Sequence, residues 1–399
     1  MRSWFDKSRS PIGLDLGSHS IKLVQLRRGS NDGGLWSIES AVAMPLPAEL
    51  PDHGAARIDV IAPMLEQALK QGAFSTQEVV MALPSVDLKY KSLRLPEMNV
   101  SELDDAVRRE AIDRLGLTEG KYDIQYFDAG KVRQGDENRQ EVIVLAAASA
   151  TIKHHLDLLT KCGLHALALD VSPSAIFRAL VIPSEHTPPP THIMIDVGHS
   201  GTNVVIARGN QIVFFRTIPI GGQQLDRAVA EHLHLSCATA SQLRASQRVL
   251  TDQPADLPAG VGSAPDSDTD HRQQQAVASA VTPSLTDLGR EVGLCLRYFS
   301  LTFRGQRPES ARLMGGEAAC PLAKNVISQG AGIDFEPVTQ LPTIDQESCQ
   351  SKFPDGTVPA QWATAIGLAM RHLTQKHRTR ARSAKRGATR ELSTHEAAA

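Results

Sequence analysis

The sequence predicts an α/β protein built from two similar lobes, with a small α+β subdomain inserted in the first. One observation is a repeat: residues 12–24 read IGLDLGSHSIKLV, and about 180 residues later residues 193–206 read IMIDVGHSGTNVVI. The other is the length of 399 residues, which exceeds the size at which one hydrophobic core usually keeps growing. Each copy of the repeat therefore marks the start of a lobe.

Each copy predicts a β-hairpin, because an apolar strand leads through an acidic residue and a glycine-centred turn into a second apolar strand. The tips carry Asp15 with Gly17 and Asp196 with Gly198. A glycine can take positive φ and lets an anion approach the backbone, and a nearby Asp can hold a hydrated metal ion against that anion. Two facing tips would clamp a nucleotide triphosphate. The alternative for either hairpin alone is an ordinary tight turn.

The remaining elements of the first lobe follow in order after an N-terminal arm over residues 1–9. Alternation and helical spacing predict these elements, from first to last: strand 35–44, a helix through Ile58 to Leu69, strand 78–84, an insert over 86–140, helix 152–162, strand 164–171 and helix 174–181. The insert has a strand-helix-strand-strand order, with a capping-box spacing at its helix start. The first lobe is predicted to cover residues 10–185.

The second lobe is predicted to cover residues 186–373. Between residues 247 and 283 the composition turns to Asp, Ser, Pro, Gln and Gly, which favours a disordered loop. Helical spacing resumes at Leu285, a strand is predicted over 310–314, and helices over 321–329 and 362–373. Residues 374–399 are basic without an apolar face, which predicts a disordered tail.

Composition excludes several classes of function. A net charge of −2 argues against a protein that binds nucleic acid over its whole surface. Five cysteines without a C-x-x-C pair favour a reducing cytoplasm and argue against a zinc site. The sequence has neither a run of about 18 apolar residues nor the apolar stretch of a signal peptide. The chain is therefore expected in the cytoplasm.

A third candidate site lies late in the chain, where residues 312–317 read RLMGGE. This is a strand that meets a helix through Gly315 and Gly316, a geometry that lets a flat purine or a ribose lie against the backbone. The alternative is an ordinary strand-to-helix turn.

The order of these motifs resembles the actin-like ATPase superfamily, which includes FtsA and Hsp70 relatives. Within it the chain is identified as a member of the PilM family of type IV pilus assembly proteins, on segments 13–24, 169–175, 196–198 and 216–225. The fold implied is two duplicated ribonuclease H-like lobes with a nucleotide cleft between them. The resemblance extends from residue 10 to about residue 372, apart from the loop at 247–283.

The resemblance implies ATP and Mg²⁺ as ligands, with Asp15 and Asp196 positioning the metal. The residues expected near the phosphates are Gly17, Ser18, His19, Ser20, Lys22, Gly198, His199, Ser200 and Thr202. The residues expected near the adenosine are Gly221, Gly222, Gly315, Gly316 and Glu317. For Lys22 a surface strand position is the alternative, and for the two histidines a purely polar tip position. Glu317 departs from the family pattern, in which a glycine or small residue is common; it would either crowd the base or ribose or reach a ribose hydroxyl.

The function implied is an ATP-binding scaffold that links a PilN-like inner-membrane protein to cytoplasmic machinery. The insert would grip the short N-terminal cytoplasmic segment of that partner, which would recruit the chain to the membrane. Other assembly proteins and self-association stay open, and no specific nucleic acid is expected. No residue stands out as the catalytic base, so the catalytic residue is unknown and the chain is expected to be at most a weak ATPase. The alternatives are an FtsA-like filament protein and a small-molecule kinase of the same fold.

Overall fold

The structure is a computed structural model that describes residues 9–28, 35–47, 50, 55–182, 186–250, 267–303, 308 and 310–371. The strands are β1 Ile12–Leu16, β2 Ser20–Arg28, β3 Trp36–Pro45, β4 Glu78–Leu83, β5 Leu88–Pro96, β6 Tyr122–Gln134, β7 Glu137–Ala148, β8 His165–Val171, β9 Thr191–Val197, β10 Thr202–Arg208, β11 Gln211–Ile218, β12 Ser310–Gly315 and β13 Glu336–Pro337. The helices are α1 Ala55–Gln71, α2 Val100–Arg114, α3 Ser149–Lys161, α4 Ser172–Leu180, α5 Gly222–Leu233, α6 Cys237–Leu250, α7 Ser267–Phe303, α8 Pro321–Ala331, α9 Gln346–Lys352 and α10 Ala363–Ala369. The predicted arm, apart from Arg9, and the predicted tail lie outside the described residues.

The two lobes are built on sheets of the same design. The first sheet has the strand order β3-β2-β1-β4-β8, and the second has the order β11-β10-β9-β12-β13. In both, three antiparallel strands are followed by two parallel ones. The repeated sequence segments form the hairpins β1-β2 and β9-β10, as predicted. The duplication seen in the sequence is therefore a duplication of whole sheets.

The insert is a three-stranded sheet of order β5-β7-β6 covered on one face by α2. Leu93, Val107 and Val144 form its own small core. On the opposite face Ile143 and Leu145 join the core of the second lobe. The predicted end at residue 140 is wrong, because β7 continues to Ala148 and stays paired with both β5 and β6 to its end.

The predicted disordered loop at 247–283 is wrong for its second half. Residues 267–283 are the first part of α7, and residues 251–266 lie outside the described part of the chain. Val277 and Val281 are buried and stand at helical spacing ahead of Leu285, so the apolar face of the helix extends further back than the composition indicates.

The last helices of the described chain, α9 and α10, return to the first lobe, contrary to the predicted second lobe of 186–373. Helix α10 packs on β1, and a Cβ built on Gly13 would lie 2.0 Å from the carbonyl oxygen of Ala365. Only a glycine strand position allows so close an approach. Helix α9 packs beside β3, where the Trp36 N–H donates to the Thr343 carbonyl oxygen at 2.9 Å. The sequence predicted a helix over 362–373 but placed it in the second lobe.

Within the described ranges, no helix is long and apolar enough to cross a membrane.

Candidate nucleotide cleft

The two hairpin tips face each other across the cleft between the lobes. The first tip joins β1 to β2 and carries His19; the second joins β9 to β10 and carries His199. Their imidazole rings lie 4.9 Å apart, centroid to centroid, at an interplanar angle of 39°. The structure thus brings together two sites that are far apart in sequence.

The glycines of the tips close the turns in a different way from the one predicted. The Gly17 N–H donates to the Ser20 carbonyl at 3.1 Å, and the Gly198 N–H donates to the Gly201 carbonyl at 3.0 Å. Neither Gly17 nor Gly198 has positive φ, so the expectation of left-handed backbone there is wrong. Ser18 and Ser200 are exposed at the tips, and Ser20 is partly buried at the start of β2.

Asp15 and Asp196 lie at the ends of β1 and β9 and are close enough for their charges to interact. Burial and then the charge of Asp15 raise the pKa of Asp196 to about 6, against the opposing effects of Asn203 and Lys22. Burial also raises the pKa of Asp15, and Lys22 opposes that shift. Lys22 is partly buried and acts on both carboxylates, so the structure places it in the cleft rather than on an outer strand surface.

Lys22 and Asn203 occupy equivalent positions in the two hairpins. Asp15 pairs with Lys22 across β1-β2, and Asp196 pairs with Asn203 across β9-β10. The Asn203 side-chain amide donates to a carboxylate oxygen of Asp196 at 3.3 Å. Sequence reasoning missed Asn203. Aligning the two repeats on their aspartates would have shown that Asn203 occupies the position of Lys22 in the second repeat.

The donor set fits a magnesium ion that arrives with a nucleotide. No group of three or more His, Cys, Asp or Glu side chains that could hold a metal ion occurs in the part of the chain that the structure describes. Mg²⁺ usually keeps several waters and binds through one or two carboxylates plus substrate phosphates. Asp15 and Asp196 supply such a pair, and a cation between them would offset the burial and the repulsion from Asp15 that raise the pKa of Asp196.

Thr202, Gly221 and Gly222 hold the second tip in shape. Thr202 is fully buried, and its hydroxyl donates to the Ile220 carbonyl at 2.7 Å. The prediction of a phosphate contact from the Thr202 hydroxyl is therefore not supported. The Gly222 N–H donates to the Gly198 carbonyl at 3.0 Å, and Gly221 is the residue before α5. These two glycines border the cleft by joining the tip to the start of that helix.

Gly315 and Gly316 have different roles. Gly315 has φ +91°, and a Cβ there would lie 2.3 Å from the Val197 carbonyl oxygen and 2.7 Å from a carboxylate oxygen of Asp196. Gly315 therefore packs directly against the backbone of Val197 and the carboxylate of Asp196. A Cβ on Gly316 would meet open space, so a ligand can approach the backbone there.

Glu317 is buried and belongs to an ion cluster. Arg244 donates to Glu317 at 2.6 Å and to the Gly222 carbonyl at 3.0 Å, and it also bonds Asp226. Burial lowers the pKa of Arg244, but the nearby charges of Glu317 and Asp226 raise it by more, so that the pKa is raised overall. The predicted ribose contact is not favoured, because the carboxylate is held by Arg244. Sequence reasoning missed this cluster, whose partners are distant in the chain.

Glu317 and Arg244 form the polar wall of a cavity of about 220 Å³. Helix α7 supplies Gln274 and Val277 to the lining, and α8 supplies Leu322. A mostly apolar cavity with a few polar groups is the usual form of a small-molecule site. Glu317 in its wall directly follows Gly316, so the cavity adjoins that turn.

Two family models match the chain. The model described as type IV pilus assembly protein PilM matches residues 13–256. The model of the cell division protein FtsA matches residues 193–340.

Solved structures share the fold over most of the chain. One is a PilM-PilN type IV pilus biogenesis complex, with a TM-score of 0.69 and 21% identity over 91% of this chain and 98% of that one. Another is the ethanolamine utilization protein EutJ from Carboxydothermus hydrogenoformans, with a TM-score of 0.50 and 13% identity over 90% of this chain and 89% of that one. These likenesses confirm the predicted actin-like α/β fold.

Proposed function

The chain belongs to the PilM family of type IV pilus assembly proteins, and from this we propose that it is a cytoplasmic scaffold that binds ATP with Mg²⁺ between its lobes and holds an inner-membrane partner on its insert. The observation that carries the proposal is that the two tips face each other, with the imidazole rings of His19 and His199 4.9 Å apart, centroid to centroid. Each tip brings one carboxylate to the same cleft. The assignment to type IV pilus assembly comes from the family itself.

The charge of the cleft suits a metal-bound triphosphate. Mg²⁺ would be held by Asp15 and Asp196, and Lys22 would face the phosphates beside them. The exposed hydroxyls of Ser18 and Ser200 would contact phosphate oxygens. When bound, the metal supplies charge neutralisation between the carboxylates and the phosphates. The chain's own residues contribute binding and orientation, and we propose that the bound nucleotide acts as a signal of conformational state rather than as a rapidly hydrolysed substrate.

The base would occupy the cavity beside Gly316. This placement is supported by the open space at that glycine and by the apolar lining from α7 and α8. Glu317 would form part of the pocket wall, held by Arg244, and would not itself contact the nucleotide. Glu317 is not expected to exclude the base sterically, because the cavity is open with Glu317 in its wall.

The partner surface is proposed at the base of the insert. Asp87, just before β5, bonds His155 of α3 at 2.9 Å, which ties the insert to the first lobe. The elements joined by this pair carry exposed apolar side chains, Val86 at 67% and Leu156 at 37%. Exposed apolar side chains at this junction fit an extended peptide, and a PilM-PilN complex is among the similar structures.

Calorimetry of the purified chain tests the nucleotide site. ATP is expected to bind with Mg²⁺ and not in the presence of a chelator, and Asp15→Ala or Asp196→Ala is expected to weaken binding severely. Asp157→Ala, at an exposed position on α3, is the matched control and should bind as the parent does. Unchanged binding in both cleft variants would refute the two-hairpin clamp.

A peptide-binding assay tests the partner surface. The probe is a synthetic peptide covering the N-terminal cytoplasmic segment of a PilN-like inner-membrane protein from the same organism. Val86→Glu is expected to weaken binding by about 10-fold or more, because it places a charge on an apolar contact. Leu301→Glu, on an α7 residue that is 83% exposed, is the control. Equal binding by both variants would place the groove elsewhere.

A second candidate is an FtsA-like filament protein, because the FtsA model matches most of the second lobe. Sedimentation with Mg²⁺ and ATP separates the candidates. Concentration-dependent pelleting would favour the filament, whereas a scaffold is expected to stay in the supernatant.

A further inference from the structure

A row of polar side chains crosses the second sheet from the carboxylate of Asp196 to the insert. Asp196 on β9 stands opposite Asn203 on β10, and Asn203 stands opposite Thr217 on β11. The Asn203 amide donates to Asp196 at 3.3 Å, and the Thr217 hydroxyl donates to the amide oxygen of Asn203 at 3.1 Å. Three adjacent strands thus carry one connected set of hydrogen bonds.

The row ends on a tyrosine of the insert. The Thr217 N–H donates to the Tyr90 hydroxyl oxygen at 2.8 Å, and that hydroxyl in turn donates to the Thr217 carbonyl at 3.3 Å. The Tyr90 ring also lies 4.9 Å, centroid to centroid, from Phe215. Because Tyr90 belongs to β5, this contact joins the insert of the first lobe to the sheet of the second.

The direction of the hydrogen bonds is fixed by chemistry. An ionised carboxylate only accepts hydrogen bonds, so Asn203 must turn its NH₂ group to Asp196 and its oxygen to Thr217. Ser85, just before the insert, also donates to that oxygen at 3.4 Å. A change at Asp196 therefore acts on the side-chain amide of Asn203. That amide is hydrogen-bonded both to Thr217 in the second sheet and to Ser85 just before the insert.

Among the residues that the structure describes, the first lobe has no equivalent connection. Its corresponding row runs from Asp15 to Lys22 and then to Ala43, and the methyl side chain of Ala43 cannot continue a hydrogen-bonded chain. The polar row is a particular property of the second sheet, which is the sheet that meets the insert.

We propose that the row Asp196, Asn203, Thr217 and Tyr90 couples occupancy of the nucleotide site to the position of the insert. This inference rests on the proposed function, because it takes Asp196 as a residue that meets the metal. A cation bound at Asp196 would compete with Asn203 for the carboxylate, and Asn203 would then shift relative to Thr217 and Ser85. The hydrogen bonds between Thr217 of β11 and Tyr90 would change with this shift, so the insert would present its partner surface differently in the two nucleotide states. Asn203, Thr217 and Tyr90 act as positioning residues.

Hydrogen exchange of the full chain, with and without Mg²⁺ and a non-hydrolysable ATP analogue, tests this coupling. In the parent, the analogue is expected to change amide exchange in β5 by about 5-fold or more, in line with ordinary coupling energies. Tyr90→Phe keeps the ring contact with Phe215 and removes only the hydroxyl, so it should fold and lose most of that change. Thr217→Val, which removes the hydroxyl facing Asn203, should lose it as well.

Tyr126→Phe is the matched control. The Tyr126 hydroxyl donates to Asp104 at 2.6 Å, so this variant loses a phenol hydrogen bond that stays inside the insert. It should keep the full response to the analogue. A full response in Tyr90→Phe, or a parent that binds the analogue without any change in β5, overturns the coupling. Calorimetry on the same samples measures whether the analogue binds. If it binds without a change in β5, only the coupling is wrong; if it does not bind to the parent, the proposed nucleotide site is wrong as well.

Discussion

The imidazole ring of His199 lies 4.9 Å, centroid to centroid, from that of His19, and this contact joins the two lobes at their tips. Burial and then the charge of His19 hold the pKa of His199 below its ordinary value of 6.5, although Asp226 and Glu317 oppose the shift. His199 is therefore neutral at pH 7 in the folded chain.

Replacing His19 should move the titration of His199. His19→Ala removes one of the charges that disfavour protonation, so the pKa of His199 should rise toward 6.5 while its burial persists. An NMR titration of the imidazole resonances measures this. Since the unfolded chain binds more protons than the folded one below pH 6.5, acid should destabilise the parent through this residue, and less so in His19→Ala. An unmoved His199 titration would contradict the assignment.

Asp196→Asn should stabilise the nucleotide-free protein near neutral pH. The folded pKa of about 6 lies above the ordinary 3.8, so the folded state binds more protons in that window and loses stability as pH rises through it. The amide avoids that cost, and the variant should gain on the order of 1–3 kcal/mol at pH 7 to 8. Denaturant unfolding at several pH values checks this. The gain should vanish near pH 4; a gain independent of pH would point to another cause.

Gly315→Ala and Gly316→Ala should separate folding from ligand approach. A Cβ at Gly315 combines φ +91° with a 2.3 Å approach to the Val197 carbonyl, so the variant should lose on the order of 2–4 kcal/mol of stability. Gly316→Ala meets open space and should unfold as the parent does while binding nucleotide less tightly. Thermal unfolding and calorimetry on both variants test the pair. Equal stabilities would contradict the role of Gly315.

Arg244→Ala should destabilise the chain more than loss of an exposed ion pair does. It leaves Asp226 and Glu317 as buried carboxylates without their shared cation, which should cost about 3–5 kcal/mol. Arg290→Ala removes an exposed partner of Asp287 and should cost less than about 1 kcal/mol. Urea unfolding of both variants measures the difference. A small effect at Arg244 would show that the cluster does not stabilise the second lobe.

Local patterns in the sequence were sufficient for the hairpins and for most strands. Asp15 and Asp196 could be paired because both follow an apolar strand and precede a glycine turn, and this pattern depends only on neighbouring residues. Helix α7 was predicted too short because its first turns are rich in Gln, Ser and Asp. Its buried Val277 and Val281 are spaced too sparsely to outweigh that composition.

Features that depend on how distant elements meet were not predicted. Glu317 looked like a ligand for a ribose because Arg244 stands far away in the chain, and only packing of α6 against the turn after β12 joins them. Tyr90 carried no signal at all, since its partner Thr217 is set by the contact between the insert and β11. For the same reason α10 was assigned to the wrong lobe.

The return of α10 to Gly13 has a consequence for the order of folding during synthesis. One face of β1 is covered by Ala365 and its neighbours, which are synthesised after all the strands of both sheets. Until then the first sheet has an uncovered apolar face, whereas the strands and helices of the second lobe are already available to pack together. The contact joins residues near opposite ends of the described chain, and such long-range contacts form slowly. The lobe that is synthesised first is therefore the one that completes its core last.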